Sequence, residues 1–462
     1  MKIIKKLSAF VTAAAMAAGA VPMINVTEAE AAINATSPQD IISKMGIGWN
    51  LGNSLDTNGT GEKSEEYWGN PKTTKELIEF VHDQGFSSIR IPVTWGYHMD
   101  AQHNIDASYM ARVKEVIDYA YNDGMYVIIN IHHDNFQMYS DYEGKNNYNY
   151  FYPDNAHKQL SETFVKSVWA QISETFKNYG ERLVFETLNE PRLAGTGDEW
   201  WFPVNNPSSA VQEAVGVINT LNQDAVDVIR ASGGNNANRL IMCPGYGASL
   251  DGAIVNGFAL PNDTAGMVGV SIHSYTPYRF AMATEAHDNP TSVYNDEMKN
   301  ELGGIFDTIK TRVLDRGYAC YIGEFGATNK GNDAERCKWA KDYTAKAKAL
   351  GIPVYLWDNN IYTVGSESYG LIKRTEMTVA YPEYLAALTE AYPVEQPERL
   401  PGDVNNDGSV SIIDVLVLRQ HLAGWQVDIT LANADVNADN EANILDVLLI
   451  RQYLAGWDVV LK

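Results

Sequence analysis

The stretch Tyr318-Ala319-Cys320-Tyr321-Ile322-Gly323-Glu324-Phe325-Gly326 is an apolar run of strand type that ends in a single carboxylate. A second stretch repeats the arrangement, with Leu183-Val184-Phe185 leading to Leu188-Asn189-Glu190-Pro191. A lone Glu at a strand's C-terminal end, met twice along a chain of alternating strands and helices, is where barrel enzymes keep reacting groups. Loop carboxylates are usually solvated surface charges, but the Asn-Glu-Pro and Gly-Glu-Phe-Gly surroundings make that the weaker reading.

Outward from these two points, strand candidates fall at 46–51, 88–92, 125–131, 183–188, 239–243, 268–273, 318–323 and 353–357. Helical patterns separate them at 75–84, 110–122, 163–179, 210–231, 298–316 and 333–350. Eight strands with intervening helices predict an α/β chain folded as a (β/α)8 TIM barrel. A doubly wound open sheet shares the local pattern, but its Gly-x-Gly-x-x-Gly turn after the first strand is absent.

The ends of the chain read differently. Lys2, Lys5 and Lys6 precede an Ala-rich apolar run, and Ala29-Glu30-Ala31 supplies a small-x-small cleavage site, so 1–31 reads as a secretory signal. As a membrane span this run is short and weak, and no later segment is long and apolar enough to span. The expected location is therefore secreted and extracellular. The barrel is expected over 32–392, a Pro-rich charged linker over 393–400, and a small all-α module over 401–462.

Cys243, Cys320 and Cys337 are too few for a disulfide framework. The first two sit in apolar runs and read as buried thiols, and a Cys320–Cys337 bridge stays open. The net charge of -23 over 462 residues argues against a nucleic-acid partner, which wants a basic stripe. It suits an extracellular protein acting on a neutral substrate.

The C-terminal module repeats itself. Asp403 to Trp425 and Asp435 to Trp457 align without gaps at an offset of 32 residues. Each copy opens with oxygen donors at EF-hand spacing. In the first, Asp403, Asn405, Asp407, the carbonyl of Ser409 and Asp414 take loop positions 1, 3, 5, 7 and 12, with Ser411 at position 9. In the second, Asp435, Asn437, Asp439, the carbonyl of Glu441, Asn443 and Asp446 do the same. Gly408 and Asn440 stand at the sharp turn of position 6, and position 12 is Asp in both loops rather than Glu. Two matches inside one repeat predict two structural calcium ions. A calcium sensor is the rival reading, but no entering helix precedes Asp403.

These duplicated loop-plus-helix units resemble dockerins, which plug secreted enzymes into cohesin-bearing scaffolds. The resemblance implies a cohesin partner and a place in a cellulosome. In that family partner choice lies largely at loop positions 10 and 11 and on the helix that follows, and this chain has Ile412-Ile413 and Ile444-Leu445 at those loop positions. Many dockerins carry hydroxyl residues at those positions. The near-symmetry of the repeats implies two alternative binding faces.

Arg90-Ile91-Pro92, Ile131-His132-His133, Asn189-Glu190-Pro191, His273-Ser274-Tyr275, Gly323-Glu324-Phe325-Gly326 and Trp357 each close an expected strand. As a set they resemble glycoside hydrolase family 5, and Gly48-Trp49-Asn50-Leu51-Gly52-Asn53 resembles its endoglucanase and xyloglucanase branch. Glycoside hydrolysis needs two carboxyl groups, and a retaining enzyme holds them about 5–5.5 Å apart. The resemblance implies Glu190 as general acid and base, with a pKa raised by burial and by Glu324. It implies Glu324 as nucleophile, kept ionised by Arg90 and Tyr275. Asn50, Arg90, His132, Asn189, His273, Tyr275 and Trp357 are expected to bind substrate, with Asn189 at the sugar 2-hydroxyl and the two histidines bridging carboxylates and hydroxyls.

His133 is left out as structural or as part of an outer subsite. A metal reading of His132-His133-Asp134 fails on the expectation that adjacent residues of an extended segment point apart, with no third ligand near. Of Trp49, Trp95, Trp200, Trp201 and Trp357, about half are expected in the core on base rates of burial. Trp357 is expected to stack on the cleaved ring, and Trp200-Trp201 lies in a long loop where binding aromatics belong.

The expectation is a secreted retaining endo-β-1,4-glucanase acting on cellulose or related β-glucans, with no cofactor for catalysis. Xyloglucanase, lichenase and β-mannanase activities are alternatives on the same barrel. An alternative of another class is a non-hydrolytic glycan-binding component of the cellulosome.

Overall fold

The computed structural model describes residues 33–135, 149–393, 400–405, 409–425, 427, 429–439, 441–457 and 459–462. The expected signal segment, most of the linker, Asp407, Gly408 and Asn440 lie outside the described residues.

Eight parallel strands close on themselves in chain order: β1 (Ile47–Leu51), β2 (Ser88–Ile91), β3 (Tyr126–Asn130), β4 (Leu183–Glu186), β5 (Ile241–Pro244), β6 (Val268–His273), β7 (Ala319–Phe325) and β8 (Val354–Asp358). The last pairs with the first through Asn50 opposite Trp357. Helices Lys75–Asp83, Ala107–Asn122, Lys158–Phe176, Ser209–Ala231, Asp296–Arg312 and Asp333–Ala349 return the chain between strands. This is the (β/α)8 TIM barrel expected, and one boundary difference, at β7, bears on the site. That strand runs on to Phe325, so Glu324 lies inside it rather than just beyond it.

Alternation along each strand builds two cores. Outward residues such as Ile89, Val127, Ile129 and Phe185 pack under the helices. Inward residues Tyr126, Ile128, Val184, Met242, Tyr321 and Tyr355 fill the barrel floor, sealed from below by Ile41, Ile42 and Met45 of the helix Pro38–Met45. Gly48 belongs to that layer because a Cβ there would meet the Tyr355 ring at 2.1 Å. Above the floor the inward residues turn polar, with Asn50, Arg90, Asn130, Glu186 and Ser271 all wholly buried.

β7 carries an irregularity that matters for the site. Its register against β6 shifts after Ile272, which sets His273 opposite Glu324. Against β8 it shifts between Ile322 and Phe325. A bulge of this kind re-aims a side chain, and the Gly323 carbonyl it frees accepts from Asn50 Nδ2 at 2.9 Å.

All three cysteines are free, which closes the open question of a Cys320–Cys337 bridge. Among the described residues no helix is long and apolar enough to cross a membrane.

The C-terminal repeats fold as helices Ile412–Leu422 and Ile444–Leu454 around their own core of Val404, Val415, Leu418, Ala434, Val436, Val447 and Ile450. Their pairing follows the repeat. Thr430 N donates to Val404 O at 2.8 Å, and Lys462 N to Val436 O at 3.0 Å, each 32 residues on from its counterpart.

Candidate active site

The barrel mouth is organised by Arg90, which projects inward from β2 and is wholly buried. Its Nε donates to Glu186 Oε2 at 2.8 Å, and its Nη1 donates to Asn50 Oδ1 at 3.0 Å and Glu324 Oε1 at 2.8 Å. Its Nη2 donates to Asn189 Oδ1 at 2.7 Å. One planar guanidinium thus ties β1, β2, β4 and β7 together, a task its five rigid donors suit.

Glu190 and Glu324 meet across His273. His273 Nδ1 is 2.8 Å from Glu190 Oε1 and 3.6 Å from Glu324 Oε2. An oxygen of each carboxylate and this ring nitrogen all lie within 4.8 Å of one another. Tyr275 Oη donates to Glu324 Oε2 at 2.9 Å, and burial together with the Glu324 charge holds that phenol protonated.

The electrostatics of the pair differ from the sequence expectation. Burial pushes Glu190 up, but the His273 hydrogen bond and charge, with Arg192 behind, outweigh it and leave Glu190 below the ordinary carboxylate value. Glu324 moves up, driven by burial and the Glu190 charge against His273, Arg90 and Tyr275. Burial lowers His273, yet Glu324 and Glu190 outweigh it and raise the imidazole. The upward shift expected for Glu190 thus falls on Glu324, while the imidazole beside Glu190 favours that carboxylate's charged form.

Asn50 does not face the cleft as expected. Its Oδ1 accepts from Arg90 and its Nδ2 donates to Gly323 O, so the strand-end position serves the β7 bulge. Asn189 spends only Oδ1 on Arg90, and its Nδ2 has no partner among the described residues. His132 bridges no carboxylate. Its Nδ1 accepts from Asn130 Nδ2 at 3.1 Å, its ring stacks on Trp357 at 5.9 Å, and burial keeps it neutral.

His132 and His133, both beyond the end of β3 at Asn130, do not point apart. Their ring centroids are 4.3 Å apart, and Asp56 from the loop after β1 brings a carboxylate oxygen within 4.8 Å of both rings' nitrogens. The expectation of no third group is thus corrected. Asp56 already accepts from Ser54 N at 2.6 Å and Asn53 N at 3.0 Å, and burial pushes its pKa up to about 6.

The tryptophans divide. Trp49 and Trp95 are core residues that donate to Asp358 Oδ2 and Asn130 O, each at 2.9 Å. Trp200 and Trp201 are 60 % and 73 % exposed, and Trp357 is almost buried at the mouth.

Two participants escaped the sequence reading. Glu186, inside β4, takes Arg90, Asn130 Nδ2 at 2.9 Å and the Ser271 hydroxyl. Its signal was a carboxylate at an inward position of an apolar strand. Arg192 donates to the Glu190 carbonyl at 3.0 Å, comes within 3.9 Å of the Glu190 carboxylate and lies 3.8 Å over the Trp200 ring.

In the C-terminal module Asp403, Asp414 and Asp446 are buried carboxylates. Asp414 accepts from Asn405 N at 3.1 Å and Ser411 N at 2.7 Å, and Asp446 from Val436 N at 2.9 Å and Asn443 N at 2.8 Å. Asn437 Nδ2 donates to Asp439 Oδ2, and Glu441 N to Asp439 Oδ1 at 2.9 Å. Buried carboxylates at loop positions 1 and 12, among donors that are all hard oxygens, fit calcium.

Residues 51–363 match the family model for cellulase (glycosyl hydrolase family 5), and residues 401–455 match the dockerin type I domain. The chain belongs to glycoside hydrolase family 5. This family 5 enzyme, ending in a type I dockerin, is 40% identical over 347 residues to Endoglucanase A of Ruminococcus albus, covering 74% of this chain and 89% of that protein. It is 36% identical over 422 residues to Endoglucanase B of Clostridium cellulovorans, covering 90% of each. It is also similar to the solved lichenase of Caldicellulosiruptor sp. F32 with cellotetraose (TM-score 0.71, 36% identity, 79% of this chain and 97% of that one). A broad-specificity endoglucanase from Ruminococcus champanellensis with bound cellotriose gives a TM-score of 0.69 at 38% identity, over 76% and 98% of the two chains.

Proposed function

We propose that this chain is a secreted, retaining endo-β-1,4-glucanase anchored to a scaffold by its dockerin. The observation that carries the reading is the close approach of Glu190 and Glu324 at the barrel mouth, with oxygens within 4.8 Å. That spacing is shorter than the roughly 6.5–9.5 Å that inverting pairs keep and suits direct attack by one carboxylate.

Glu324, fixed by Arg90 and Tyr275, attacks the anomeric carbon while the Glu190–His273 pair delivers a proton to the departing glycosidic oxygen. A glycosyl ester to Glu324 results. Glu190 then takes a proton from water, which attacks the same carbon and frees Glu324, so two inversions give net retention. Asn189 Nδ2 donates to the 2-hydroxyl, a contact that strengthens in the transition state. Trp357, backed by the neutral His132 ring, supplies the face for the cleaved sugar, and Trp200 and Trp201 offer outer platforms.

The domain limits remain those of the sequence reading: a signal over 1–31, the barrel to 392, a linker to 400 and the dockerin beyond. Two calcium ions would be held by Asp403, Asn405, Asp407, Ser409 and Asp414, and by Asp435, Asn437, Asp439, Glu441 and Asp446. When bound they would neutralise the loop carboxylates and set the helices that meet a cohesin. Catalysis calls for no cofactor. The similar solved lichenase and a xyloglucan-specific relative keep mixed-linkage glucan and xyloglucan in view as substrates. Both carboxylates being intact counts against a purely glycan-binding component.

The test is product release from carboxymethylcellulose, xyloglucan, mixed-linkage glucan and mannan by wild type and Glu190→Ala. Activity on a β-glucan that the substitution removes supports the reading. No release from any of the four overturns it.

A further inference from the structure

Four rings stand in a row from the site outward. The Trp357 ring stacks on His132 at 5.9 Å with planes 3° apart, His132 meets His133 at 4.3 Å, and His133 meets Trp68 at 5.8 Å. Burial holds both imidazoles neutral, His133 with its pKa lowered to about 3, so the row carries no charge. Trp68 lies in the loop between β1 and the helix Lys75–Asp83, and that loop is fastened to the barrel. Asn70 Nδ2 donates to Asn53 O at 2.6 Å, Thr94 Oγ1 to Asp56 O at 2.8 Å, and Arg112 Nη2 to Thr73 O at 2.6 Å. Trp68 Nε1 donates to Asn58 Oδ1 at 3.0 Å. Trp49 and Trp95 likewise spend their N–H groups inside the protein, but both are wholly buried, whereas Trp68 is only half-buried.

An indole that only fills a core is covered on all sides. Here the N–H is satisfied within its own loop and part of the ring stays open, so Trp68 offers a ligand apolar surface at a fixed place. A glucosyl ring matches that offer, because its axial C–H groups form an apolar face that settles on the electron-rich face of an aromatic ring. The row begins at Trp357, which faces the cleaved sugar, and leads past the end of β3 to the loop after β1. Trp200 by contrast covers Arg192, on the loop that carries Glu190. Glu190 protonates the oxygen of the departing sugar, so its loop borders the leaving side and the row toward Trp68 borders the other. We propose that Trp68 is a substrate-binding residue whose indole stacks on an outer glucosyl unit on the non-reducing side of the cleaved bond. The inference rests on the roles given to Glu190, Glu324 and Trp357 under the proposed function.

The test measures kcat/KM for nitrophenol release from the 4-nitrophenyl glycosides of cellobiose, cellotriose and cellotetraose. The leaving group is the same in all three, so a gain with length comes from sugars on the non-reducing side. Trp68→Leu keeps apolar packing against His133 without a flat ring. It should lose about tenfold on the cellotetraoside and less on the cellobioside. Trp68→Phe restores a ring without the Asn58 bond and should recover most of that loss. Wild-type values in Trp68→Leu at every length, or a loss equal at all three, would overturn this inference alone. A second measurement needs no change at Trp68. In the Glu324→Gln chain, bound cellotetraose should shield Trp68 from oxidation by N-bromosuccinimide, read by peptide mass spectrometry, and an unshielded Trp68 would overturn the inference even where Trp68→Leu fails to fold. A Glu324→Gln variant as active as wild type would overturn the site assignment and this inference with it.

Discussion

Arg90 and Glu186 form an ion pair at 2.8 Å inside the barrel, with both side chains wholly buried. Glu186 receives donors on both oxygens, from Ser271 on one and from Arg90 and Asn130 on the other. A buried pair of this kind costs desolvation to form, and removing one partner strands the other, at about 3–5 kcal/mol. What the pair supplies is orientation, because Arg90 held on one side by Glu186 presents Nη1 to Glu324 and Nη2 to Asn189.

Glu186→Gln should therefore be costly even though it keeps the shape. Its amide would turn a donor toward Ser271, Asn130 or Arg90. We expect a loss of stability of about 3 kcal/mol or more by urea unfolding. We also expect a fall in kcat larger than any rise in KM, since the side chain touches no substrate.

The pH dependence of activity should respond to Arg192. Its positive charge is one of the influences that hold Glu190 low. Arg192→Met removes it, so the Glu190–His273 pair should keep its proton to higher pH, and the alkaline limb of kcat/KM should move upward. A limb that stays in place would show that Trp200 and Glu199 absorb the whole role of this residue, through the 3.8 Å stacking and the 3.1 Å ion pair.

His273 gives a stability prediction with a definite sign. Its folded pKa is raised above the unfolded value by Glu324 and Glu190, against the opposing effect of burial. Its contribution is then full below the unfolded pKa of about 6.5 and is lost as pH rises through the folded value. The difference in unfolding free energy between wild type and His273→Asn should shrink on going from mildly acid to alkaline solution.

Lys330 donates to the carbonyls of Arg279 and Phe280, each at 2.8 Å, and to that of Thr291 at 3.3 Å. These tie the loop after β6, which carries Tyr275, to the loop after β7. Lys330→Met should leave three carbonyls without this donor. We expect a Tm several degrees lower and faster amide exchange over 278–291, measured by hydrogen–deuterium exchange.

Chelation should separate the two modules. With excess chelator the dockerin should lose its fold and its cohesin affinity. Hydrolysis of a soluble β-glucan should stay at its original rate, because the proposed calcium ligands all lie in the dockerin. Unchanged cohesin binding under chelation would remove calcium from the account.

Local chemistry carried much of this by itself. Apolar runs of strand length, helical periodicity between them and turn residues at their ends are written in short windows, so the eight strands were legible within a few residues. The same holds for Glu190 and Glu324 at strand ends and for the paired oxygen-donor loops with their 32-residue repeat. The sequence alone determined the barrel, the two carboxylates and the dockerin. Only closure of the barrel decided the rest, since contacts between groups hundreds of residues apart leave no trace in a local window. Closure turned Asn50 from the cleft to the Gly323 carbonyl, set Glu186 beneath Arg90 and brought Asp56 to His133. It also set His273 against Glu190, so that the imidazole draws that carboxylate's pKa down while burial and the Glu190 charge push Glu324 up.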